Sequence, residues 1–251
     1  TIIHAEAAEQ FLRGKRLSDD VIEQAAYLTM AAARPINDIR GSASYRKTIV
    51  KVITRRALKS LVEQTEKDQI PESPVLLWGV NHNPSSAQDA TIVLNLGDRI
   101  QTEINGQRFD LDGGCGKSLL RLLRENALLT GTKEACAEGE CGACTVYLDG
   151  KAVLGCMIPA ERAHGAKITT IEGIAPMDGL HPVQQGFIQA GAVQCGYCTP
   201  GLIMSTVKLI EEKPKATQEE IKQAIAGNLC RCTGYYKIIE AVEIAIRVME
   251  K

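Results

Sequence analysis

Eight of the nine cysteines in this 251-residue chain fall into two groups of four, and any fold it adopts must bring each group together. The first group is Cys136-Ala-Glu-Gly-Glu-Cys141-Gly-Ala-Cys144, closed by Cys156; four, two and eleven residues separate its members. The second is Cys195-Gly-Tyr-Cys198 with Cys230-Arg-Cys232. Three thiols on one tight loop demand a backbone that turns back on itself, and Gly139 and Gly142 supply the positive φ that such a turn needs. The same glycines let N–H groups approach the sulfurs. Without a charged-then-apolar leader at its start, the chain reads as cytoplasmic, where clustered cysteines point to metal rather than to disulfides.

The first spacing is that of a plant-type [2Fe-2S] loop with a distant fourth ligand. Its rival is a structural zinc site. For the second set the rivals are zinc and a redox dithiol, although Cys-X-Cys is unusual for zinc, whose knuckles leave two to four residues between ligands. The second set also sits before two helical stretches, where free N–H groups and the positive end of the helix dipole favour thiolates. Cys115, in Gly113-Gly-Cys-Gly116, is left over and carries no assigned function.

From about Thr91 to Lys251 the chain closely resembles the small iron–sulfur subunit of the molybdenum hydroxylases, the family of xanthine dehydrogenase and aerobic carbon monoxide dehydrogenase. The matching residues are Gly131-Thr-Lys-Glu-Ala-Cys136-Ala-Glu-Gly-Glu-Cys141-Gly-Ala-Cys144, Thr170-Ile-Glu-Gly173, Gln194-Cys-Gly-Tyr-Cys198-Thr-Pro-Gly201 and Gly227-Asn-Leu-Cys230-Arg-Cys232-Thr-Gly-Tyr235. Upstream, Asp38-Ile-Arg-Gly-Ser-Ala-Ser-Tyr-Arg46 and Thr54-Arg-Arg-Ala57 resemble the C-terminal end of the FAD-binding subunit of the same enzymes. The start at Thr1 without Met suggests a fragment, a processed product or a split polypeptide, and the resemblance implies a flavoprotein–iron–sulfur fusion seen after loss of its front.

The expected organisation is α+β. Residues 1–66 form the C-terminal part of a FAD-subunit-like domain, mainly helical with short strands. Ser18 caps one of its helices, and Ile49, Val52, Ile53, Leu61 and Val62 make an apolar stripe on another. Residues 67–90, with three prolines and no periodicity, are a linker that holds Trp78. Residues 91–172 alternate with period two from Ile92, carry hairpin turns at Asn105-Gly106 and Asp149-Gly150, and fit a β-grasp ferredoxin-like domain. Residues 173–251 read as four helices, with Thr217-Gln-Glu-Glu220 as a capping box and His181 at a helix start. The resemblance makes this last part a four-helix [2Fe-2S]-binding domain.

The formal charge of −1 and the 4% aromatic content leave no basis for nucleic-acid binding, and no apolar run reaches the length of a membrane span. The resemblance implies a component of a molybdenum-dependent oxidoreductase, a dehydrogenase or hydroxylase. In it, electrons pass from a molybdenum pterin through two [2Fe-2S] clusters to FAD. Cys136, Cys141, Cys144 and Cys156 would ligate the first cluster, Cys195, Cys198, Cys230 and Cys232 the second. Gln194 would contact the pterin. The chain itself would hold no substrate-converting residue. Its partners would be a molybdenum-binding large subunit and a FAD-binding subunit or domain, in a hetero-oligomer that dimerises. The competing readings are a stand-alone ferredoxin-like carrier and a metal-stabilised interaction module.

Overall fold

The computed structural model describes residues 3–39, 41–68, 70–80 and 92–250. The chain divides into two compact units, Thr1–Pro74 and Val75–Lys251.

The first unit holds helices α1 (Glu6–Leu12), α2 (Asp19–Ala32) and α3 (Ala43–Glu63). Serine hydroxyls start the longer two: Ser18 accepts from Val21 N–H at 3.4 Å and Ser42 from Tyr45 N–H at 3.2 Å. The buried residues Ala8, Ile22, Ala25 and Ala26 are mostly small, which lets α2 pack closely between its neighbours. The stripe expected to bury α3 stays largely in solvent. No residue of α3 is buried, and Ile53, Leu61 and Val62 are exposed, because within the unit α3 packs mainly on α2. The expected short strands reduce to one bridge between Asp38 and Gly41, tied by Arg46 Nη2 to Asp38 Oδ1 at 2.6 Å.

The second unit begins its sheet with two hairpins. Strands β1 (Ile100–Ile104) and β2 (Gln107–Leu111) turn at Asn105-Gly106, both with positive φ, as a two-residue hairpin of this hand requires. Strands β3 (Thr145–Leu148) and β4 (Lys151–Leu154) turn in the same way at Asp149-Gly150. Between the hairpins lies helix α4 (Leu119–Arg121), capped by Ser118 and running into a π-type turn over Leu122–Asn126. Strand β5 (Lys167–Thr169), which the alternation does not announce, completes the order β2-β1-β5-β3-β4. It pairs parallel to β1 and antiparallel to β3. Ile100, Ile104, Leu119, Leu122, Val146 and Ile168 fill the core beneath this β-grasp sheet. The alternation from Ile92 does not form a strand. Asn95 and Asp98 close a turn there (Asn95 N–H to Asp98 Oδ2, 2.6 Å), and of the apolar positions Leu94 reaches the core while Ile92 and Leu96 are exposed.

Four helices follow: α5 (Pro182–Gln189), α6 (Thr199–Glu212), α7 (Gln218–Ile225) and α8 (Tyr236–Met249). His181 and Thr217 each close a capping box, with Gln184 and Glu220. Helix α6 is buried at every position from Gly201 to Ile210, because it lies against β3 as well as against α5 and α7. Leu202, Met204 and Leu209 are each worth about 2 kcal/mol on burial. Tyr147 of β3 belongs to this helical core and donates its hydroxyl to Met204 O at 2.6 Å.

Part of the expected linker is built into this unit. Leu76 and Trp78 donate their N–H groups to the two carboxylate oxygens of Glu212 at 2.9 and 3.0 Å, and Val75 N–H donates to Gln223 Oε1 at 3.0 Å. Leu77 O accepts from Ala152 N–H at 3.0 Å. The rest of the linker from 81 to 90 lies outside the described residues.

Candidate metal centres

The loop from Cys136 to Cys144 turns at Gly139 (φ +77°) and Gly142 (φ +69°), as its glycines require. Glu138 and Glu140 point their N–H groups at Cys136 Sγ, each at 3.4 Å. In the helical part, Cys198 is the residue before α6, and Cys230 and Cys232 lie on the loop that leads into α8. Thr233 Oγ1 sits 3.2 Å from Cys230 Sγ, and Tyr235, in a left-handed conformation (φ +69°), turns that loop into the helix.

The thiols meet in pairs. Cys136 neighbours Cys141, and Cys144 neighbours Cys156, each close enough to shift the other's protonation. In the second set Cys198 neighbours Cys230, and Cys195 neighbours Cys232. Within each set the pairs also interact electrostatically, Cys141 with Cys144 and Cys195 with Cys198. A [2Fe-2S] core asks for this arrangement of its donors: two thiolates on each of two irons. Each cysteine of the Cys195-X-X-Cys198 pair also neighbours a cysteine from the other loop.

Protonation follows the surroundings. Burial pushes the Cys136 thiol up, but the two N–H groups and Cys141 outweigh it and bring it down to about 7. Burial raises Cys144 and Cys198 each to about 12. Burial also raises Cys230, but the Thr233 hydroxyl and nearby N–H groups bring it below its ordinary value. A thiolate at Cys144 or Cys198 needs a cation beside it, which bound iron supplies. Cys195 and Cys232 form an exposed pair, whereas Cys144 is buried. Gln194 is exposed beside Cys195. Cys115 is buried, donates to Asp98 O at 3.4 Å and stands apart from both sets.

The two cysteine loops also touch one another. Leu229 N–H donates to Cys141 O at 2.9 Å, and Asn228 Nδ2 donates to Gly142 O at 3.1 Å. Tyr197 donates its hydroxyl to Glu134 O. A Cβ on Gly201 would lie 2.2 Å from Gly142 O, so the first turn of α6 approaches the first cysteine loop as closely as a glycine allows.

Fold and donor geometry together define an electron-transfer protein with two [2Fe-2S]-binding domains. Residues 102–167 match the 2Fe-2S iron–sulfur cluster binding domain, residues 170–243 the [2Fe-2S] binding domain, and residues 1–61 the CO dehydrogenase flavoprotein C-terminal domain. The nicotinate dehydrogenase small FeS subunit of Eubacterium barkeri is 48% identical over 147 residues, 59% of this chain and 94% of that subunit. The xanthine dehydrogenase iron–sulfur-binding subunit of Escherichia coli is 49% identical over 146 residues, 57% of this chain and 91% of the relative. Among solved structures, a chain of quinoline 2-oxidoreductase from Pseudomonas putida 86 superposes with a TM-score of 0.59 at 35% identity, covering 62% of this chain and 98% of that one. The chain belongs to the iron–sulfur subunits of the molybdenum hydroxylase family, preceded by a flavoprotein C-terminal segment. Its role in such an oxidoreductase is to carry electrons.

Proposed function

We propose that Cys136, Cys141, Cys144 and Cys156 hold one [2Fe-2S] cluster and Cys195, Cys198, Cys230 and Cys232 the other. When bound, each cluster takes up and releases one electron at a time. The chain's residues fix the order. The exposed Cys195/Cys232 pair faces a molybdenum-binding partner, and Gln194 offers its amide to the pterin there. The inner Cys198/Cys230 pair adjoins the first cysteine loop through the Leu229 N–H to Cys141 O bond. From that loop electrons leave toward FAD, held by a FAD-binding subunit or domain. Cys144 in the core keeps one end of the first site away from water.

The observation that carries this reading is the pairwise meeting of eight cysteines from four separate loops. We assign 1–66 to the flavoprotein-type domain, 67–90 to the connection, 91–172 to the ferredoxin-type domain and 173–251 to the helical one. The assembly is a cytoplasmic hetero-oligomer, dimerised in turn, that oxidises or hydroxylates a small substrate held by the molybdenum subunit. None of the described helices is long and apolar enough to cross a membrane. The test is EPR of the dithionite-reduced chain with iron quantified. Two distinct rhombic signals and about four irons per chain are expected. A silent spectrum with stoichiometric zinc would overturn the assignment.

A further inference from the structure

Asn228 is a buried amide, 4% exposed, at the seam between the two cysteine-bearing domains. Three elements hold it. Its Nδ2 donates to Gly142 O, on the first cysteine loop, at 3.1 Å. Its Oδ1 accepts from Ser205 Oγ of α6 at 2.8 Å. Its backbone N–H donates to Ile225 O of α7 at 2.9 Å. The orientation of the amide is fixed by chemistry, since a carbonyl can only accept and must face the NH₂ end. A Cβ on Gly142 would fall 2.4 Å from Asn228 Nδ2, so the amide fills the space that residue 142 leaves.

Asn228 also organises the second cysteine loop. Its carbonyl accepts from the Tyr235 hydroxyl at 3.1 Å, and that hydroxyl accepts from Cys230 N–H at 2.8 Å. The next residue, Leu229, donates to Cys141 O. One buried residue therefore connects the two loops: its side-chain amide holds the backbone between Cys141 and Cys144, and its backbone carbonyl holds the Tyr235 hydroxyl that takes the Cys230 N–H. A single hydrogen bond next to it joins the two loops along the chain from Cys141 to Cys230.

We infer that Asn228 is a positioning residue for electron transfer: it fixes the separation of the two iron–sulfur sites by bracketing Gly142 against the Cys230 loop. Electron transfer between weakly coupled centres depends steeply on distance, so a buried amide bonded at both its nitrogen and its oxygen at the seam sets a rate without touching either cluster. A buried polar network specifies one arrangement through its bonds, and here Asn228 is held at Nδ2, Oδ1, the backbone N–H and the backbone carbonyl. The inference rests on the assignment of both cysteine sets to [2Fe-2S] clusters.

The test is pulsed EPR of the reduced full chain, reading the dipolar interaction between the two clusters in wild type, Asn228→Ala and Ser205→Ala. The expected result is one narrow distance in wild type and a longer, broader distribution in Asn228→Ala at unchanged iron content. Wild-type distances in an iron-replete Asn228→Ala chain would overturn the inference. If Asn228→Ala loses a cluster or fails to fold, Ser205→Ala decides, since it frees the amide to turn while leaving it in place. A broadened distribution then supports the bracket, and a wild-type one overturns it. Absence of both signals in wild type would instead sink the cluster assignment, so the two failures are told apart.

Discussion

Gly201→Ala separates local preference from interdomain packing. Gly201 lies in the first turn of α6, where helix propensity alone makes alanine better by about 1 kcal/mol. The added methyl, however, would stand 2.2 Å from Gly142 O and 3.1 Å from its carbonyl carbon. Both are backbone atoms, so no rotamer change relieves the overlap, and either α6 or the first cysteine loop must move. Overpacking of this kind costs about 3 kcal/mol at the upper end of its range. The net is a loss of about 2 kcal/mol, which for a unit of this size lowers Tm by about 4–8 °C. Differential scanning calorimetry of the iron-loaded chain reads it. Gly227→Ala is the control: its Cβ meets nothing within 4 Å, and its effect should stay within about 0.5 kcal/mol. An unchanged or raised Tm in Gly201→Ala would refute the close approach of the two loops.

Other perturbations test other parts. Burial lowers the His181 pKa below its ordinary 6.5 against the opposing pull of Glu211, and Nδ1 accepts from Val183 N–H at 3.2 Å. A depressed folded pKa gives stability that is present above 6.5 and lost as pH falls below it, so about 1 kcal/mol of cap disappears in that window. Thermal unfolding against pH should show the fall in wild type and not in His181→Asn, which caps without titrating. Glu212→Ala removes the acceptor of Leu76 and Trp78 N–H groups and should open the 75–80 segment to limited proteolysis; wild-type resistance would count against the docking of that segment. Cys195→Ser should halve the iron to about two per chain and leave one EPR signal intact, and retention of four irons would remove Cys195 from the ligand set.

What could be read in advance was local. The two hairpins turn on dipeptides whose preference for positive φ overrides their surroundings, and the Ser18 and Thr217 caps need only residues three positions on. The cysteine spacing singled out a three-cysteine loop at Cys136–Cys144, which admits few shapes, and two short pairs at Cys195/Cys198 and Cys230/Cys232. What escaped depends on partners far along the chain. Strand β5 has three residues and exists through its pairing with β1, more than sixty residues earlier in the sequence. The prolines around Val75–Val80 suggest a free linker, yet Glu212 and Gln223 hold its backbone. The alternation from Ile92 misled for the opposite reason: a turn closed by Asp98 satisfied the backbone before a neighbouring strand could. Asn228 stands in a motif quoted for its cysteines, and nothing local distinguishes it from a surface amide.

The seam between the two domains shows why those particular residues stand there. Domains joined through long side chains can slide, because each side chain has several rotamers of similar energy. Here two contacts run through backbone, Leu229 N–H to Cys141 O and Gly201 against Gly142, and a third is the short, buried side-chain amide of Asn228 on Gly142 O. Each contact lies within three residues of a cysteine. Positions of sulfur are thus set by peptide groups with few soft torsions between them, and glycine at 142 and 201 is what lets the peptide groups meet. A stand-alone carrier that meets its partners one at a time has no need to hold two sites at one separation. A relay does, and in this chain the residues that fix the separation are the neighbours of the residues that would bind the iron.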